Sequence, residues 1–476
     1  MLMISRDKSD FIFLLLGRIL QIIVVLLSLR LATTLLEKEQ LGVVYYFLTI
    51  QGFFSLFFIN PSGQYFNRQT FNWLTTGKLS KNLLLQILFI TIISVIALVF
   101  LFLLSVAEQI ELDFFMCLFI ALLIMALSTN QTVIPLLNML GYRREFVILN
   151  LLTAICSLLF SYLTMLAFGF GYKAWVAGII VSNLLFSVLA ILFYFFKAQV
   201  ISECLSSNED SKLFGKEFWK FSIPISFATL FMWYMNTGFR INIKESLGLE
   251  YLAYIGVGLA ISRQVFSVIE SLVTQFLIPK LYRDIEGKEK KERELRFNNY
   301  FHLTLPIYIS ASCFLWVSNH NLLPFVVGEK YLDVSEIINL GVVIEFSRTM
   351  TNVLSLVCQI EKKTKLFFSA YIIPAFFLFL ALSFHDIDEH SLMCFLTLAN
   401  VLSLVIMFFL ARKMLSVKFP LAKVFVNFLY MIPVVLYFEF VNVDAKFDIH
   451  NFIYSTGGGL LYLALMYVYW KKYYKS

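Results

Sequence analysis

Five arginines lie inside long apolar stretches of this chain, where lipid alone would not tolerate them. They are Arg18, Arg30, Arg240, Arg263 and Arg348. An arginine near the centre of a membrane-spanning helix costs about 2.5–3.5 kcal/mol on insertion scales. Each one therefore either extends its long side chain to the nearest interface or faces water, a partner or a ligand. A phosphate is a suitable ligand, because the planar guanidinium donates two hydrogen bonds at once and keeps its charge. We therefore treat all five as candidate substrate-binding residues for an anion.

Two carboxylates, Glu270 and Glu345, oppose these arginines well inside the apolar stretches. Glu345 and Arg348 are three residues apart and share one helix face, which favours a local ion pair. Arg263 and Glu270 are seven residues apart and also share a face, although they are about 10 Å apart along the axis. The alternative is that the arginines form a ladder across a water-filled passage. A carboxylate in the membrane can also take up and release a proton or another cation during a transport cycle, so both glutamates are candidate ion-coupling residues.

The composition places the chain in a membrane. Of its 476 residues, 60% are hydrophobic and 14% are charged, whereas about a quarter of the residues are charged in an ordinary soluble domain. The first apolar stretch, residues 10–36, is too long for the core of a cleavable signal, so we expect it to remain as an anchor. The six cysteines contain no CxxC pair and lie mostly in apolar stretches, which is typical of core residues and not of a disulfide framework or metal site.

Polar breaks divide the sequence into about fourteen candidate membrane-spanning helices. They lie at about residues 11–36, 41–60, 82–106, 112–137, 146–168, 174–196, 217–241, 251–279, 297–318, 335–359, 366–384, 391–411, 420–441 and 449–470. Numbered alternately, the breaks separate the basic residues. One side of the membrane holds only Lys38, Lys173, Lys244, Lys330 and Lys446, and every other basic residue outside the spans falls on the opposite side. The positive-inside rule therefore predicts an even number of spans with both termini in the cytoplasm.

Two halves of the chain resemble one another. The text LRLATTLLEKEQLGVVYYF surrounds the break after the first span, FRINIKESLGLEYLAYIGV surrounds the break after the seventh, and the polar segment SECLSSNEDSK lies between the halves. Such repeats are the usual construction of secondary transporters, with the substrate path between the lobes. We predict an all-α polytopic protein with two pseudo-symmetric six-helix lobes and two C-terminal helices. The predicted divisions are 1–198 for the N-terminal lobe, 199–216 for a cytoplasmic linker, 217–412 for the C-terminal lobe and 413–476 for the last two spans.

Two other motifs carry less weight. HDIDEH, residues 385–390, has the residue types of a metal site, but it lies in a short loop between two spans and is typical of a polar turn. Gly457, Gly458 and Gly459 lack the GK[ST] ending of a phosphate-binding loop. We therefore expect no metal, no cofactor and no direct use of ATP, and a proton or sodium gradient as the energy source.

Three stretches resemble a known group of transporters. GRILQIIVVLLSLRLATTLLEKEQLGVVYYFLTI, GKEFWKFSIPISFATLFMWYMNTGFRINIKESLGLEYLAYIGVGLAIS and LLPFVVGEKYLDVSEIINLGVV are similar to segments of Wzx-type O-antigen flippases in the multidrug/oligosaccharidyl-lipid/polysaccharide (MOP) flippase superfamily. Many of those relatives have an aspartate immediately before the arginine of the second stretch. Here Phe239 precedes Arg240, so the ion pair of those relatives is missing.

The resemblance implies a function. It indicates a multi-pass protein of the bacterial inner membrane, not an enzyme, that takes part in polysaccharide or lipopolysaccharide biosynthesis. Its cargo would be an undecaprenyl-pyrophosphate-linked oligosaccharide, an O-antigen or capsule repeat unit, moved by alternating access through a basic central cavity. The expected partners are that lipid-linked oligosaccharide, membrane lipids, a glycan polymerase and a chain-length regulator, and no nucleic acid.

Two alternatives stay open. A MATE-like ion-coupled exporter of drugs or cations would favour a lumen rich in carboxylates and aromatics, whereas here the arginines within the spans outnumber the acids. A membrane scaffold of a glycan assembly complex would transport nothing by itself.

Overall fold

The computed structural model of this chain is built from α-helices. The structure describes residues 2–198, 213–285, 287–361, 363, 366, 368–384, 387–440 and 447–474, and no strand occurs among them. In chain order the helices are α1 (Leu2–Leu35), α2 (Lys38–Phe54), α3 (Asn60–Thr75), α4 (Leu79–Val106), α5 (Phe114–Met139), α6 (Arg143–Phe168), α7 (Tyr172–Phe193), α8 (Lys216–Trp233), α9 (Arg240–Ile285), α10 (Lys290–Val326), α11 (Ser335–Ile360), α12 (Ser369–Phe384), α13 (Glu389–Leu415), α14 (Leu421–Phe440) and α15 (Ile449–Tyr474).

The helices confirm the predicted class of polytopic all-α membrane protein. Within the described residues, 11 helical segments are long and apolar enough to cross a membrane. One of them, Lys216–Ser271, takes in two predicted spans, and two shorter apolar helices, Leu20–Leu35 and Ser369–Ser383, match two more. Each predicted span thus falls on a helix. The side of the membrane on which the termini lie stays a prediction.

Two predicted breaks are helical instead: residues 242–250, which lie in α9 apart from Gly248, and the break after the second span. The second span was expected to end at residue 60, but α2, a π-helical turn (Ser55–Ile59) and α3 form one continuous helix, Lys38–Thr75, of 38 residues. At 1.5 Å per residue it is about 57 Å long, well beyond the ~30 Å hydrocarbon core. The reason is that α3 is amphipathic: Tyr65, Phe66 and Trp73 are buried, while Gln64 and Asn67 are exposed. Its many polar residues resemble a loop, but their spacing is helical.

The described helices form two compact units, which are described separately. The first unit contains Met1–Ser28 and Leu35–Ile241, and the second contains Leu29–Thr34 and Asn242–Ser476. Helix α8 therefore packs with the helices before it, and a short segment of α1 packs with the later ones. Residues 199–212 of the predicted linker lie outside the described residues. The predicted lobes rest on sequence repetition, whereas the units are defined by packing, so the division into lobes stays a prediction.

Aromatic side chains hold the core of the first unit at one end of its helices. Trp73 is fully buried and lies 5.5 Å from the Phe66 ring and 6.2 Å from the Tyr65 ring, measured between centroids. Gln86 of α4 donates from Nε2 to Ser62 Oγ of α3 at 2.9 Å. Because Gln86 is only seven residues into α4, this bond places Ser62 about 10 Å from the start of that helix.

The second unit depends on close contact between α9 and α11. Ser262 Oγ donates to the backbone carbonyl of Ile338 at 2.9 Å, which ties the middle of α9 to the first turn of α11. Helix α9 is interrupted by Gly248, whose φ of +83° is strained for any residue with a side chain. The long segment after Gly248 contains both Arg263 and Glu270, so the crossing with α11 sets the position of both.

We expect Gly178→Val to destabilise the first unit. A Cβ at Gly178 of α7 would collide with the backbone of Phe160 and Ser161 in α6, and overpacking of this kind costs about 1–3 kcal/mol. Thermal unfolding of the detergent-solubilised protein measures the effect as a lower Tm. The control is Gly63→Ala in α3, where a new Cβ meets nothing within 4 Å; that variant should keep or raise the Tm. Equal Tm values for the two variants would contradict the close contact between α6 and α7.

Candidate functional site

Arg348 lies between two carboxylates inside the second unit. Its Nε donates to Glu345 Oε2 at 2.7 Å, and a terminal guanidinium nitrogen donates to Glu270 Oε2 at 3.0 Å. The first contact joins residues one turn apart on α11, and the second joins α11 to α9. The side chain of Arg348 is only 14% exposed. Buried ions of this kind are tolerated because each charge is paired and hydrogen-bonded.

Further polar groups complete the environment of Glu270. Asn352 Nδ2 donates to Glu270 Oε1 at 3.0 Å, and the Tyr371 hydroxyl of α12 donates to Asn352 Oδ1 at 3.0 Å. The Glu270 side chain is 31% exposed, against 8% for Glu345. Two carboxylates and one guanidinium, all ionised, carry a net charge of about −1. The cluster therefore carries one excess negative charge when all three groups are ionised, and Glu270 is its more exposed carboxylate.

Glu270 also belongs to a polar stripe on α9. Arg263, Ser267, Glu270 and Thr274 recur at helical spacing, and Arg263 and Thr274 are exposed. Arg263 lies about 18 Å along the helix from the start of the predicted span at residue 251, which is near mid-membrane. Within the described part of the chain, Arg263 makes no hydrogen bond or ion pair. An exposed, uncompensated arginine at this depth requires water or a ligand beside it.

Arg30 has a different environment at the end of α10. Its guanidinium donates to the backbone carbonyl of Pro324 and lies 4.1 Å from the centre of the Phe447 ring. Pro324 is in the last turn of α10, where carbonyl groups have no partner within the helix and the helix dipole favours a cation. Thr33 adds a second link, since its Oγ1 accepts the Gly328 N–H at 2.8 Å. Arg30 therefore joins α1 to the C-terminal end of α10.

The other two predicted arginines lie in the first unit. Arg240 is 8% exposed and its guanidinium carbon lies 5.2 Å from the centre of the Tyr45 ring, which is cation–π geometry. Phe239, which occupies the position before it, is 2% exposed. Arg18 lies in α1, and its side chain is outside the described ones. Of the predicted residues, the structure thus brings together Glu270, Glu345 and Arg348, with Arg263 on the same face of α9 as Glu270.

Sequence reasoning missed a second polar surface, which we call the amide stripe. It consists of Asn60, Gln64, Asn67 and Arg68 on α3. The last three are exposed, Gln64 Nε2 donates to Asn60 Oδ1 at 2.8 Å, and the Arg68 guanidinium lies 5.5 Å from the Phe221 ring. Ser62 is level with Gln86 of α4, about 6 Å inside the predicted span that begins at residue 82. Asn60 and Gln64 therefore lie just inside the membrane, and Asn67 and Arg68 lie at its boundary. The helical spacing of its polar residues was the available signal.

The acidic part of HDIDEH has a structural role. Asp388 accepts the Ser391 N–H at 2.9 Å while its own N–H donates to Ser391 Oγ at 3.2 Å, which is a capping box at the start of α13. The bonds from Ser391 hold the pKa of Asp388 below its usual value. His385 and Asp386 lie outside the described residues. Among the residues that the structure describes, no group of three or more His, Cys, Asp or Glu side chains is placed to hold a metal ion.

We expect Arg348→Met to destabilise the second unit strongly. The change leaves the buried Glu345 and the partly exposed Glu270 without their cation, and breaking a buried pair costs about 3–5 kcal/mol. The measurement is the Tm of the purified protein. The triple variant Glu270→Gln/Glu345→Gln/Arg348→Met should recover most of the loss, because no unpaired charge remains. Arg263→Met is the matched control and should leave the Tm near that of the parent. A similar loss of Tm in Arg348→Met and Arg263→Met would contradict the assignment of a stabilising ion pair to Arg348 alone of the two.

Comparison with known proteins shows what this fold is like. No family model matches the chain, and no curated protein matches it. Among solved structures, the lipid II flippase MurJ in an inward closed conformation matches with a TM-score of 0.66 at 11% identity, over 98% of this chain and 99% of that one. The eukaryotic MATE transporter AtDTX14 matches with a TM-score of 0.55 at 13% identity, over 87% of this chain and 99% of that one.

A third structure extends the comparison. A multidrug resistance MATE family transporter of the MOP superfamily, in an inward-facing conformation, matches with a TM-score of 0.58 at 12% identity, over 83% of this chain and 94% of that one. At these identities the likeness concerns the fold alone. The chain has the helical membrane fold shared by MATE transporters and the lipid II flippase.

Proposed function

We propose that this protein is a flippase for a lipid-linked oligosaccharide. Its cargo would carry an anionic pyrophosphate, a hydrophilic glycan and a polyprenyl tail. The observation that carries the proposal is Arg263, exposed near mid-membrane on α9 without an ion-pair partner among the described residues. A guanidinium in that position is stabilised by water and by a passing anion, and lipid offers neither.

The arginines divide into different roles in this proposal. Arg263 is the principal group that binds the pyrophosphate, because no ion pair with a described residue neutralises its charge. Arg348 is neutralised by Glu270 and Glu345, and Arg30 caps α10, so these two position the helices that carry the site. Arg240, buried against Tyr45, and Arg18 remain candidate contacts to the headgroup.

The amide stripe supplies a surface for the glycan. Asparagine and glutamine side chains both donate and accept hydrogen bonds, which suits sugar hydroxyls, since these do the same. The exposed Gln64 and Asn67 and the half-buried Asn60 offer this chemistry on α3 of the first unit. The first unit therefore presents neutral hydrogen-bonding groups on α3, and the second unit presents a cation on α9.

The solved structures support a lipid-linked cargo over a drug. The lipid II flippase is matched over 98% of this chain, whereas the two MATE structures cover 87% and 83% of it. The part of this chain that the two MATE structures leave unmatched is similar in length to α14, α15 and their loops. A MATE-like exporter of drugs or cations is the second candidate, and the shared fold is the observation in its favour.

The finer parts of the proposal follow from the resemblance of the sequence to Wzx-type flippases. We infer that the carrier is undecaprenyl pyrophosphate, that the glycan is an O-antigen or capsule repeat unit, and that the membrane is the bacterial inner membrane. A glycan polymerase and a chain-length regulator would receive the product. The protein would work by alternating access and would break no covalent bond.

We further propose that the ion cluster couples transport to a gradient. Glu270, Glu345 and Arg348 together carry one excess negative charge when all are ionised, and Glu270 is partly exposed on the same stripe as Arg263. A proton or sodium ion reaching Glu270 would neutralise that excess. Its binding would then be linked to the arrangement of α9, α11 and α12, the helices that supply Glu270, Arg348 and Tyr371.

Flipping in proteoliposomes tests the two binding surfaces separately. Arg263→Ala should slow flipping of a fluorescent polyprenyl-pyrophosphate oligosaccharide about tenfold or more, the factor expected for a lost charge-assisted hydrogen bond, and Arg263→Lys should restore part of the rate. The same variant should slow the bare polyprenyl pyrophosphate equally. Asn60→Ala/Gln64→Ala/Asn67→Ala should slow only the glycosylated lipid. Accessibility of the fluorophore to a membrane-impermeant quencher gives the rates.

The control for this assay is Lys288→Ala, which removes an exposed cation paired with Glu292 at 3.5 Å on the surface of α10. It should flip both lipids at the parental rate. Parental rates in Arg263→Ala would overturn the proposal. Export of a cationic dye without lipid flipping would identify the drug exporter instead, and a parent protein that transports neither would identify a scaffold.

An imposed gradient tests the coupling. In Glu270→Gln and in Glu345→Gln the cluster loses its excess charge, so flipping should no longer accelerate when a proton or sodium gradient is applied across the vesicle membrane. Glu336→Gln, an exposed residue in the first turn of the same helix α11, should keep the parental response. A full response in the Glu270 and Glu345 variants would exclude the cluster as the coupling site.

A further inference from the structure

A basic groove lies where α13 ends in the second unit. It has a volume of about 510 Å³ and is lined by Phe408, Arg412, Ser416, Val417, Lys418 and Phe419. Ser416 adopts the left-handed conformation, with φ of +43°, and its N–H bonds to the Arg412 carbonyl, which ends the helix. The chain then turns over residues 416–420 and begins α14 at Leu421. Because this turn joins two helices that can cross a membrane, the groove lies at headgroup level.

No ion pair with a described residue neutralises the cations of this groove. Within the described residues, the side chains of Arg412, Lys413, Lys418 and Lys423 make no ion pair or hydrogen bond. The backbone around them is nevertheless fixed: the Lys418 N–H donates to Asn298 Oδ1 at 2.8 Å, and the Lys418 carbonyl lies 2.9 Å from His302 Nε2. The turn is therefore held against α10 while its charged side chains remain available.

Large apolar side chains border the same cations. Phe419 is 47% exposed, Phe409 61%, Phe425 65% and Leu421 73%. Such a surface next to a group of cations matches an amphiphile, with its anionic head on the lysines and arginine and its chains along the phenylalanines. A soluble phosphate compound would use the cations but would leave these side chains uncovered. The combination indicates the membrane as the source of the ligand.

We propose that this groove binds the phosphate headgroup of an anionic membrane phospholipid. Arg412 and Lys418 contact the phosphate from the two ends of the turn, and Lys413 and Lys423 add to the positive potential around it. Phe408 and Phe419 support the glycerol and the first part of the acyl chains. The site is separate from Arg263 and from the ion cluster, so it does not depend on the proposed cargo.

Lipid binding by the full-length protein tests this site. In nanodiscs of phosphatidylglycerol the parent should have a higher Tm than in nanodiscs of phosphatidylcholine, and native mass spectrometry should detect retained phosphatidylglycerol. In Arg412→Gln/Lys418→Gln the difference in Tm should largely disappear, and retention should fall about tenfold or more, since each cation near a membrane surface contributes appreciably to anionic lipid binding. The single variant Lys418→Gln, which changes an exposed side chain, should show about half of the loss of phosphatidylglycerol retention. It tests the site even if the double variant fails to fold.

The matched control is Lys81→Gln/Lys220→Gln, which removes two exposed cations from the first unit and should keep parental retention and the parental Tm difference. Equal retention by Lys418→Gln and the parent would overturn the proposal. So would stabilisation of the parent by inorganic phosphate in phosphatidylcholine nanodiscs to the same extent as by phosphatidylglycerol, because the site would then recognise a soluble anion.

Discussion

The cost of placing a charged side chain in lipid governs this structure. An arginine near mid-membrane is unfavourable by several kcal/mol unless a counter-ion, a backbone carbonyl, an aromatic ring or water is beside it. Arg348 has two carboxylates, Arg30 has the Pro324 carbonyl and the Phe447 ring, and Arg240 has the Tyr45 ring. These three arginines are therefore stabilised by groups of the protein itself. Arg263 has no such partner among the described residues, so it is the main support for the proposed passage.

The same constraint explains the helices that carry these residues. A long helix such as Lys38–Thr75 can keep a polar half within the membrane only if that half faces water and its apolar half packs on protein. In α3 the buried rings of Phe66 and Trp73 and the bond between Gln86 and Ser62 meet the second condition. The exposed Gln64, just inside the membrane boundary, then requires water on the polar face. Fold and function are linked here because packing on one face frees the other for polar groups.

How much the sequence could predict follows from the range of each interaction. The membrane class and the positions of the spans depend on local hydropathy, and the pair of Glu345 with Arg348 depends on a spacing of three residues, so both could be read from the sequence. The contact between Arg348 and Glu270 spans 78 positions and that between Arg30 and Pro324 spans 294. No local pattern specifies such contacts. Helix α3 was missed for another reason, since its polar composition outweighed a helical period that was present.

The opposite charges on α9 also bear on how transport could be coupled. Arg263 and Glu270 lie two turns apart, about 10 Å along the helix, and at an effective dielectric of about 20 two unit charges at that distance interact by about 1.7 kcal/mol. An anionic headgroup that binds Arg263 is therefore repelled by an ionised Glu270, and a proton or cation on Glu270 relieves that repulsion. By linkage the headgroup raises the affinity of Glu270 for the cation by the same factor, roughly tenfold or more. In the proposed flippase, cation and cargo would bind together, because binding either one removes the charge that opposes the other.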